Sequence, residues 1–270
     1  MNRSFLKWAG GKSQSVSIIK ENIGEVKGRF IEPFVGSGVV FINIDSNRFI
    51  INDSNVDLIN VFKAIKNDSF LDELRFYFTE DVNNDVFYYQ AREEFNKTES
   101  TEDKALLFIY LNRHCFNGLC RYNKSGKFNV PFGKYKTVYF PEKEISLFKE
   151  KLKNCEVYCE DFEFIFDLAK TDDVIYCDPP YTPLSKTASF TSYGTNSFSE
   201  EDHVRLAKRA EEAKCRVLIS NHDTDFTRQL YSNADRIIKK EVGRSVSAKA
   251  ESRKKANEIL VVYEKGETHG

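Results

Sequence analysis

Short apolar runs alternate with amphipathic segments along most of the chain. The apolar runs predict strands, and they lie at residues 29–33, 48–52, 155–159, 173–177, 215–220, 236–242 and 259–264. Helical patterns fill most of the intervals between them. This alternation is typical of a doubly wound, mostly parallel α/β sheet, and the last two runs can close it as an antiparallel hairpin. In such sheets, ligands bind beyond the carboxyl ends of the strands.

The alternation stops between residues 55 and 150. Helical patterns continue to Cys115, and a turn-rich stretch with short β runs follows. We therefore predict two domains, one containing the sheet and built from residues 1–55 and 150–270, the other an inserted recognition domain over residues 56–149.

Composition excludes several classes of protein. The 270 residues carry 40 basic and 41 acidic side chains, so any nucleic-acid signal must be local. Six cysteines show no zinc-ligand spacing, which predicts reduced thiols and no metal. The N-terminus lacks an apolar signal core, and no run approaches the roughly 20 apolar residues of a membrane span. We expect a soluble, cytoplasmic protein.

The fourth apolar run leads into Asp178-Pro179-Pro180-Tyr181. The two prolines fix the backbone and remove two N–H donors, so the neighbouring carbonyls are available as acceptors. The Asp178 carboxylate and a carbonyl near Pro179 would bind the amino group of a flat base and favour the positive charge that develops when its nitrogen is alkylated. Tyr181 would stack on the ring. The alternative is a capped Pro-Pro turn with a surface tyrosine.

Residues 31–38, IEPFVGSG, predict a strand, a tight turn at Gly36 and Gly38, and a helix beginning near Val39. Two glycines let the backbone approach a nucleotide closely. A dinucleotide fingerprint would have a third glycine where this chain has Phe41. The turn therefore disfavours NAD and favours an adenosyl ligand without pyrophosphate.

Two further segments belong to the predicted ligand site. Asp53 ends the second predicted strand, where it would accept hydrogen bonds from ribose hydroxyls or an amine, or would simply terminate the strand. Gly10 and Gly11 predict a turn that brings Trp8 and Lys12 over a small ligand. The alternative for Trp8 is a core anchor.

Residues 112–139 contain six Lys or Arg side chains, no acidic residue and interleaved aromatic rings. This composition suits a β-hairpin against a phosphate backbone, with rings available as wedges between bases. The alternative is a solvated basic loop. A second basic run over 236–255 either contacts phosphate or is a solvated tip. The Ser- and Thr-rich stretch 185–198 is predicted to order over an extruded base.

These motifs together resemble the Dam-type DNA adenine-N6 methyltransferases, which use S-adenosylmethionine. The likeness covers nearly the whole chain, through FLKWAGGK, EPFVGSG, REEFNK, LNRHCFNGLCRYN, KFNVPFGKY, YCDPPY, TNSF and ISNHDT. The resemblance implies a Rossmann-like class I methyltransferase fold, S-adenosylmethionine as cofactor, double-stranded DNA as partner, and G-A-T-C as target. The predicted domains are then a catalytic and a DNA target-recognition domain. We expect a monomer in the cytoplasm of a bacterial or phage-infected cell.

The resemblance also implies roles for individual residues. The catalytic residues that hold the flipped adenine are Asp178, Pro179, Pro180 and Tyr181. The cofactor-binding residues are Trp8, Lys12, Glu32, Phe34, Gly36, Gly38, Asp53 and Asp178. The DNA-binding residues are Lys7, Arg92, Arg113, Phe116, Asn117, Leu119, Arg121, Asn123, Pro131, Tyr135 and Asn196. Arg121 is the candidate for a bidentate contact with guanine. Dam-type proteins often have Tyr where this chain has Phe116, which keeps stacking but loses any hydroxyl contact.

The predicted reaction is direct methyl transfer to adenine N6 of a base flipped out of the duplex, with Asp178 as acceptor and orienter. Cytosine-C5 chemistry is disfavoured because it needs a cysteine nucleophile, and Cys177 is expected on the opposite face of its strand. The alternatives are N4-cytosine methylation of DNA, adenine methylation of RNA, and a DNA-binding protein without turnover.

Overall fold

The computed structural model describes residues 1–181, 198–242 and 256–264. The chain forms two compact units. The first comprises Met1–Ser13, Val35–Ile44 and Ile51–Cys159, and the second comprises Gln14–Phe34, Asp45–Ile50 and Glu160–Gly270. The domain boundaries near 55 and 150 stay a prediction.

Within the described residues, seven strands form one sheet in the order β3-β2-β1-β4-β5-β7-β6. The strands are β1 (Phe30–Glu32), β2 (Phe49–Asn52), β3 (Cys155–Tyr158), β4 (Val174–Cys177), β5 (Arg216–His222), β6 (Arg236–Val242) and β7 (Ala256–Tyr263). Each corresponds to a predicted apolar run. The expected doubly wound, mostly parallel sheet is confirmed, including the antiparallel pairing of β6 with β7.

The central strands of the second unit are parallel. Strand β4 pairs with β1, with Ile175 opposite Ile31, and with β5, with Ile175 opposite Val217. All four residues of β4 are buried. Burial on both faces explains why this strand has a continuous apolar sequence rather than an alternating one. The residues that follow β1 and β4 therefore emerge at the same edge of the sheet.

Four helices of the first unit lie in the stretch predicted to be helical: α2 (Val56–Ala64), α3 (Phe70–Phe76), α4 (Asp85–Phe95) and α5 (Thr101–His114). The next helix, α6 (Glu142–Leu152), begins in the stretch predicted to be turn-rich with short β runs. The side chain of Ser100 caps α5 by accepting from the Asp103 N–H, and Arg113 lies in its last turn, where a cation suits the helix dipole. Most of α5 is buried, as expected of a helix in the core of its unit.

Helices of the second unit are α1 (Val16–Ile23), α7 (Phe162–Asp167), α8 (Glu200–Glu212) and α9 (Asp225–Leu230). Helix α8 begins with a capping box, in which Ser199 and Asp202 each accept from the other's backbone N–H. Within the parts of the chain that the structure covers, no helix is long and apolar enough to cross a membrane.

The helix predicted near Val39 is wrong. Only a 3₁₀ turn, Phe41–Asn43, follows the glycine turn. Val39, Val40 and Ile42 are β-branched and buried, so they favour compact packing over a regular helix. The turn consequently lacks the α-helix N-terminus that binds a phosphate in dinucleotide sites.

The predicted β-hairpin is present as a short antiparallel pairing in the basic segment. Tyr122 pairs with Phe128, and Cys115 with Phe132. Gly126, at φ +71°, lies in the turn at the tip. Of the other two predicted DNA-facing stretches, 185–198 lies outside the described residues except for Phe198, and the run from 236 is described only as far as β6.

Candidate functional site

Asp53 holds the glycine turn at the end of β2. Its Oδ2 accepts the Gly36 N–H at 3.0 Å, and its Oδ1 accepts the Asn55 N–H at 2.9 Å. Burial raises the pKa of Asp53, and these two hydrogen bonds oppose that effect. Each carboxylate oxygen has room for two donors, so a ribose diol can add one hydroxyl to each. Asp53 therefore holds the glycine turn, and its contact with a ribose stays a prediction.

Trp8 packs on Gly36. A Cβ at Gly36 would lie 3.0 Å from the indole Nε1, a tight contact, and Gly36 has φ +48°, where a side chain is strained, so both observations favour glycine. Trp8 is only half-buried, which argues against a core anchor. The predicted turn after Trp8 is present, with Gly10 at φ +76°, and the Lys12 Nζ donates to the Gly10 carbonyl at 3.1 Å. Trp8 and Gly36 thus meet directly, and Lys12 lies on the turn that carries Trp8.

Gly38 serves a different purpose. Its N–H donates to the Val35 carbonyl at 2.8 Å, which closes the tight turn. A Cβ at Gly38 would lie 2.4 Å from a ring carbon of buried Phe148. Packing therefore accounts for this glycine, whatever its backbone contributes to a ligand.

Asp178 follows β4 directly and is half-buried, between buried Cys177 and buried Pro179. The Cys177 thiol points into the core, and burial raises its pKa well above the ordinary value. A nucleophilic cysteine must ionise, so Cys177 is unsuited to C5 chemistry. Pro180, the next residue, is exposed.

Tyr181 packs edge-on against His222, with ring centroids 4.6 Å apart. Burial raises the pKa of the Tyr181 hydroxyl, and the nearby Asp178 charge raises it further. The hydroxyl therefore stays protonated at neutral pH. No role was predicted for His222, although it lies in the ISNHDT motif.

A buried polar group lies in the same unit and was also missed. The Asn221 Nδ2 lies 3.4 Å from the His203 Nδ1 and 3.4 Å from the Tyr231 hydroxyl. Burial lowers the pKa of His203 to about 4, against the opposing effects of the Pro180 carbonyl and Asp202. His203 is consequently neutral near pH 7. No spacing in the sequence links its helix to the strand that carries Asn221.

The predicted cofactor residues belong to both units. Trp8, Lys12, Gly36, Gly38 and Asp53 are in the first, and Glu32, Phe34 and Asp178 are in the second. Glu32 ends β1 and is buried. The Phe34 ring lies 5.5 Å from Phe162 and 5.4 Å from Phe198, in an aromatic cluster.

Arg121 is exposed on the hairpin. Its Nε donates to the Asn129 side-chain oxygen at 2.8 Å, and its Nη2 donates to the Asn129 main-chain oxygen at 3.2 Å. These two bonds fix the orientation of the Arg121 guanidinium group. Phe116 is also exposed, and Asn117 has φ +54° and donates its N–H to the Tyr135 hydroxyl at 3.0 Å.

Three other predicted DNA-binding side chains make hydrogen bonds inside the first unit. The Lys7 Nζ donates to the Arg113 carbonyl at 3.1 Å, the Arg92 guanidinium to the Val130 carbonyl at 3.1 Å, and the Arg113 guanidinium to the Tyr139 carbonyl at 3.2 Å. Burial lowers the pKa of Lys7. These side chains therefore bind main-chain carbonyls of their own unit.

The remaining predicted DNA-binding residues differ in position. Leu119 is half-buried and Pro131 is exposed. The Asn123 side chain accepts from the Ser125 N–H at 2.9 Å and the Lys127 N–H at 3.0 Å, so it closes the hairpin turn. Asn196 lies outside the described residues. The described part of the chain contains no group of three His, Cys, Asp or Glu side chains suited to a metal ion.

The chain is similar to known DNA methyltransferases. Residues 8–246 match the family model of the D12 class N6 adenine-specific DNA methyltransferases. The DNA adenine methylase of Escherichia coli strain K12 is 48% identical, over 98% of this chain and 96% of that protein. Those of Serratia marcescens and Vibrio cholerae are 47% and 44% identical, each over 97% of this chain and over 98% and 96% of the respective relatives.

Proposed function

Because the chain belongs to the D12 class of N6 adenine-specific DNA methyltransferases, we propose that it methylates the adenine of G-A-T-C in double-stranded DNA after flipping that base out of the helix. The enzyme is an adenine-specific DNA methyltransferase, and its methyl donor is S-adenosylmethionine. The target sequence, the flipping step and the roles of individual residues are the proposal. We expect a monomer acting in the cytoplasm of a bacterial or phage-infected cell.

The residues of the glycine turn fit this cofactor. Gly36 presents bare backbone beside Trp8, and Asp53 has acceptor capacity for a ribose diol. The turn has no α-helix N-terminus, which a pyrophosphate would need and a sulfonium cation would not. Bound there, S-adenosylmethionine supplies an electrophilic methyl group on sulfur.

Asp178 acts on the adenine amino group. The amino nitrogen is a weak nucleophile because its lone pair is delocalised into the ring. An acceptor carboxylate favours a pyramidal nitrogen and stabilises the positive charge that develops during attack. A carbonyl near Pro179 accepts the second amino hydrogen, and Tyr181 contacts the base ring. Tyr181 must then leave its present contact with His222 or offer its other face to the base.

One observation supports the proposed sequence specificity: Arg121 is exposed, and Asn129 orients its guanidinium group. A guanidinium donates two hydrogen bonds to guanine O6 and N7, which no other base pair accepts in the same geometry. The likeness of the segment LNRHCFNGLCRYN to Dam-type proteins supports G-A-T-C as the site that contains this guanine.

The chemistry and the target are tested by methyl transfer from tritium-labelled S-adenosylmethionine. Duplexes carry G-A-T-C or one of its single base-pair substitutions, and the product is digested to nucleosides. We expect label in N6-methyladenine from the G-A-T-C duplex, with a loss for every substitution. Label in N4-methylcytosine, preferential labelling of RNA, or no label would overturn the proposal.

Base flipping is tested separately with 2-aminopurine in place of the target adenine. Its fluorescence is quenched by stacking, so binding should increase it when a non-reactive cofactor analogue is present. The control duplex carries 2-aminopurine two base pairs outside the site. An equal response from both duplexes would contradict flipping.

A further inference from the structure

The residues on either side of Arg121 face inward and contact the start of α2. The Tyr122 hydroxyl donates to the Asp57 Oδ2 at 2.7 Å, and the Asn55 Nδ2 lies 3.8 Å from the Cys120 Sγ. Arg121 itself is exposed. Side chains alternate along an extended strand, so two inward contacts force the residue between them outward.

The partners of these contacts belong to the segment 53–57, which begins with Asp53. Asn55 caps α2 by accepting the Leu58 N–H at 3.1 Å, and it donates its own N–H to Asp53. Asp57 is buried, and its Oδ1 lies 3.3 Å from the Lys104 Nζ. Rigid hydrogen-bonded supports of this kind are what a precisely oriented contact residue needs.

Tyr122 stays a donor over the whole physiological pH range. Burial raises the pKa of its hydroxyl far above the ordinary value, and the Asp57 charge raises it further. The ring also packs edge-on against Phe128, with centroids 5.9 Å apart. Loss of the hydroxyl alone therefore leaves the apolar packing of the hairpin in place.

We propose that Tyr122 is a specificity-positioning residue, which fixes the orientation of Arg121 through its hydrogen bond to Asp57. This inference rests on the proposed reading of guanine by Arg121. A bidentate contact fails when its strand moves by about an ångström, because one of the two hydrogen bonds is lost. Contacts with phosphate tolerate the same movement. Removal of the Tyr122–Asp57 hydrogen bond should thus reduce discrimination at one base pair, not at all four.

The test is Tyr122→Phe, measured as kcat/KM on the G-A-T-C duplex and on each single base-pair substitution. We expect discrimination at the base pair read by Arg121 to fall about tenfold, and discrimination at the other three pairs to stay within about twofold. Asp57→Asn keeps an oxygen acceptor for Tyr122 and should retain most of the discrimination. Tyr158→Phe also removes a tyrosine–carboxylate hydrogen bond, to Glu156 at 2.7 Å, and should change nothing.

Thermal unfolding of each variant accompanies these measurements. Unchanged discrimination in Tyr122→Phe, or an equal loss at all four base pairs, would overturn the positioning role. Arg121→Ala distinguishes this failure from failure of the proposed function. If Arg121→Ala reduces discrimination at one base pair and Tyr122→Phe does not, only the positioning role of Tyr122 is refuted. If Arg121→Ala reduces it at none, the proposed reading fails and the inference fails with it.

Discussion

Asn129 holds Arg121 from across the hairpin with both its side-chain and its main-chain oxygen, at 2.8 and 3.2 Å. The two bonds use the Nε and one terminal nitrogen of the guanidinium. A long side chain held in this way loses less rotamer entropy when it binds than a free one. The hairpin thus offers DNA an arginine that is already oriented.

We expect Arg121→Ala to reduce discrimination at one guanine, because a bidentate base contact is lost. Measured from the ratio of kcat/KM values, the reduction corresponds to about 1–3 kcal/mol. Competition between duplexes substituted at each position measures this. Lys127→Ala is the matched control on the same hairpin. Lys127 is exposed, so its loss should weaken binding to all duplexes alike and lower the salt dependence. An Arg121 variant that weakens all duplexes equally would identify a phosphate contact instead.

Asp178→Ala should abolish methyl transfer while DNA affinity stays within about threefold of wild type. The carboxylate stabilises charge that develops only in the transition state, and loss of such a group costs about 10²-fold or more in kcat. Single-turnover rates and duplex binding are measured on the same preparation. Asp225→Ala removes an exposed carboxylate from the first turn of α9 and should retain full turnover. Ordinary turnover in Asp178→Ala would refute the acceptor role.

The fold was predictable because each strand has a local signature. Strand β4 is an uninterrupted apolar run, and burial on both faces requires such a run wherever it lies in the sequence. The 3₁₀ turn at Phe41–Asn43 was not predictable from the glycine motif, because the packing of Val39 and Val40 decides it. Tertiary packing overrode a local pattern there.

The same contrast between local sequence signals and tertiary packing applies to the candidate site. The positions of Asp53 and Asp178 were predictable because each directly follows an apolar strand, which the sequence displays. The contacts among His203, Asn221 and Tyr231 were not predicted because they are side-chain contacts between neighbouring elements, and no periodicity marks them. The Tyr122–Asp57 hydrogen bond spans 65 positions, and no periodicity marks either partner. Long-range polar contacts of this kind follow only from the packed fold.

Gly36→Ala should weaken cofactor binding by about tenfold or more. The new methyl would meet the Trp8 indole at 3.0 Å, and φ +48° adds about 1 kcal/mol of backbone strain. Calorimetric titration with S-adenosylhomocysteine measures the affinity. Gly126→Ala is the matched control, because Gly126 has φ +71° but nothing within 4 Å of an added Cβ. It should lose stability through strain alone and bind the analogue normally. Equal affinities for the two variants would rule out a role of the Trp8–Gly36 contact in cofactor binding.

Stability should fall as the pH is lowered from about 6.5 to about 5, before ordinary carboxyl groups take up protons. Burial lowers the pKa of both His114 and His203 to about 4 in the folded protein. Below about pH 6.5 the unfolded chain binds protons at these histidines and the folded chain does not, so protonation favours unfolding. The stabilisation is fully present above the unfolded pKa and is lost as the pH falls towards the folded one. By about pH 5 each histidine contributes a loss of about 2 kcal/mol.

Denaturant unfolding of the wild type and of His203→Gln, at several pH values in this window, measures the effect. Glutamine takes up no proton, so His203→Gln should lose about half as much stability on acidification as the wild type, whatever its stability at neutral pH. His114→Gln, in the other unit, should have a loss of similar size if the two units unfold together. A pH dependence that is the same in all three proteins would mean that neither histidine is held neutral by the fold.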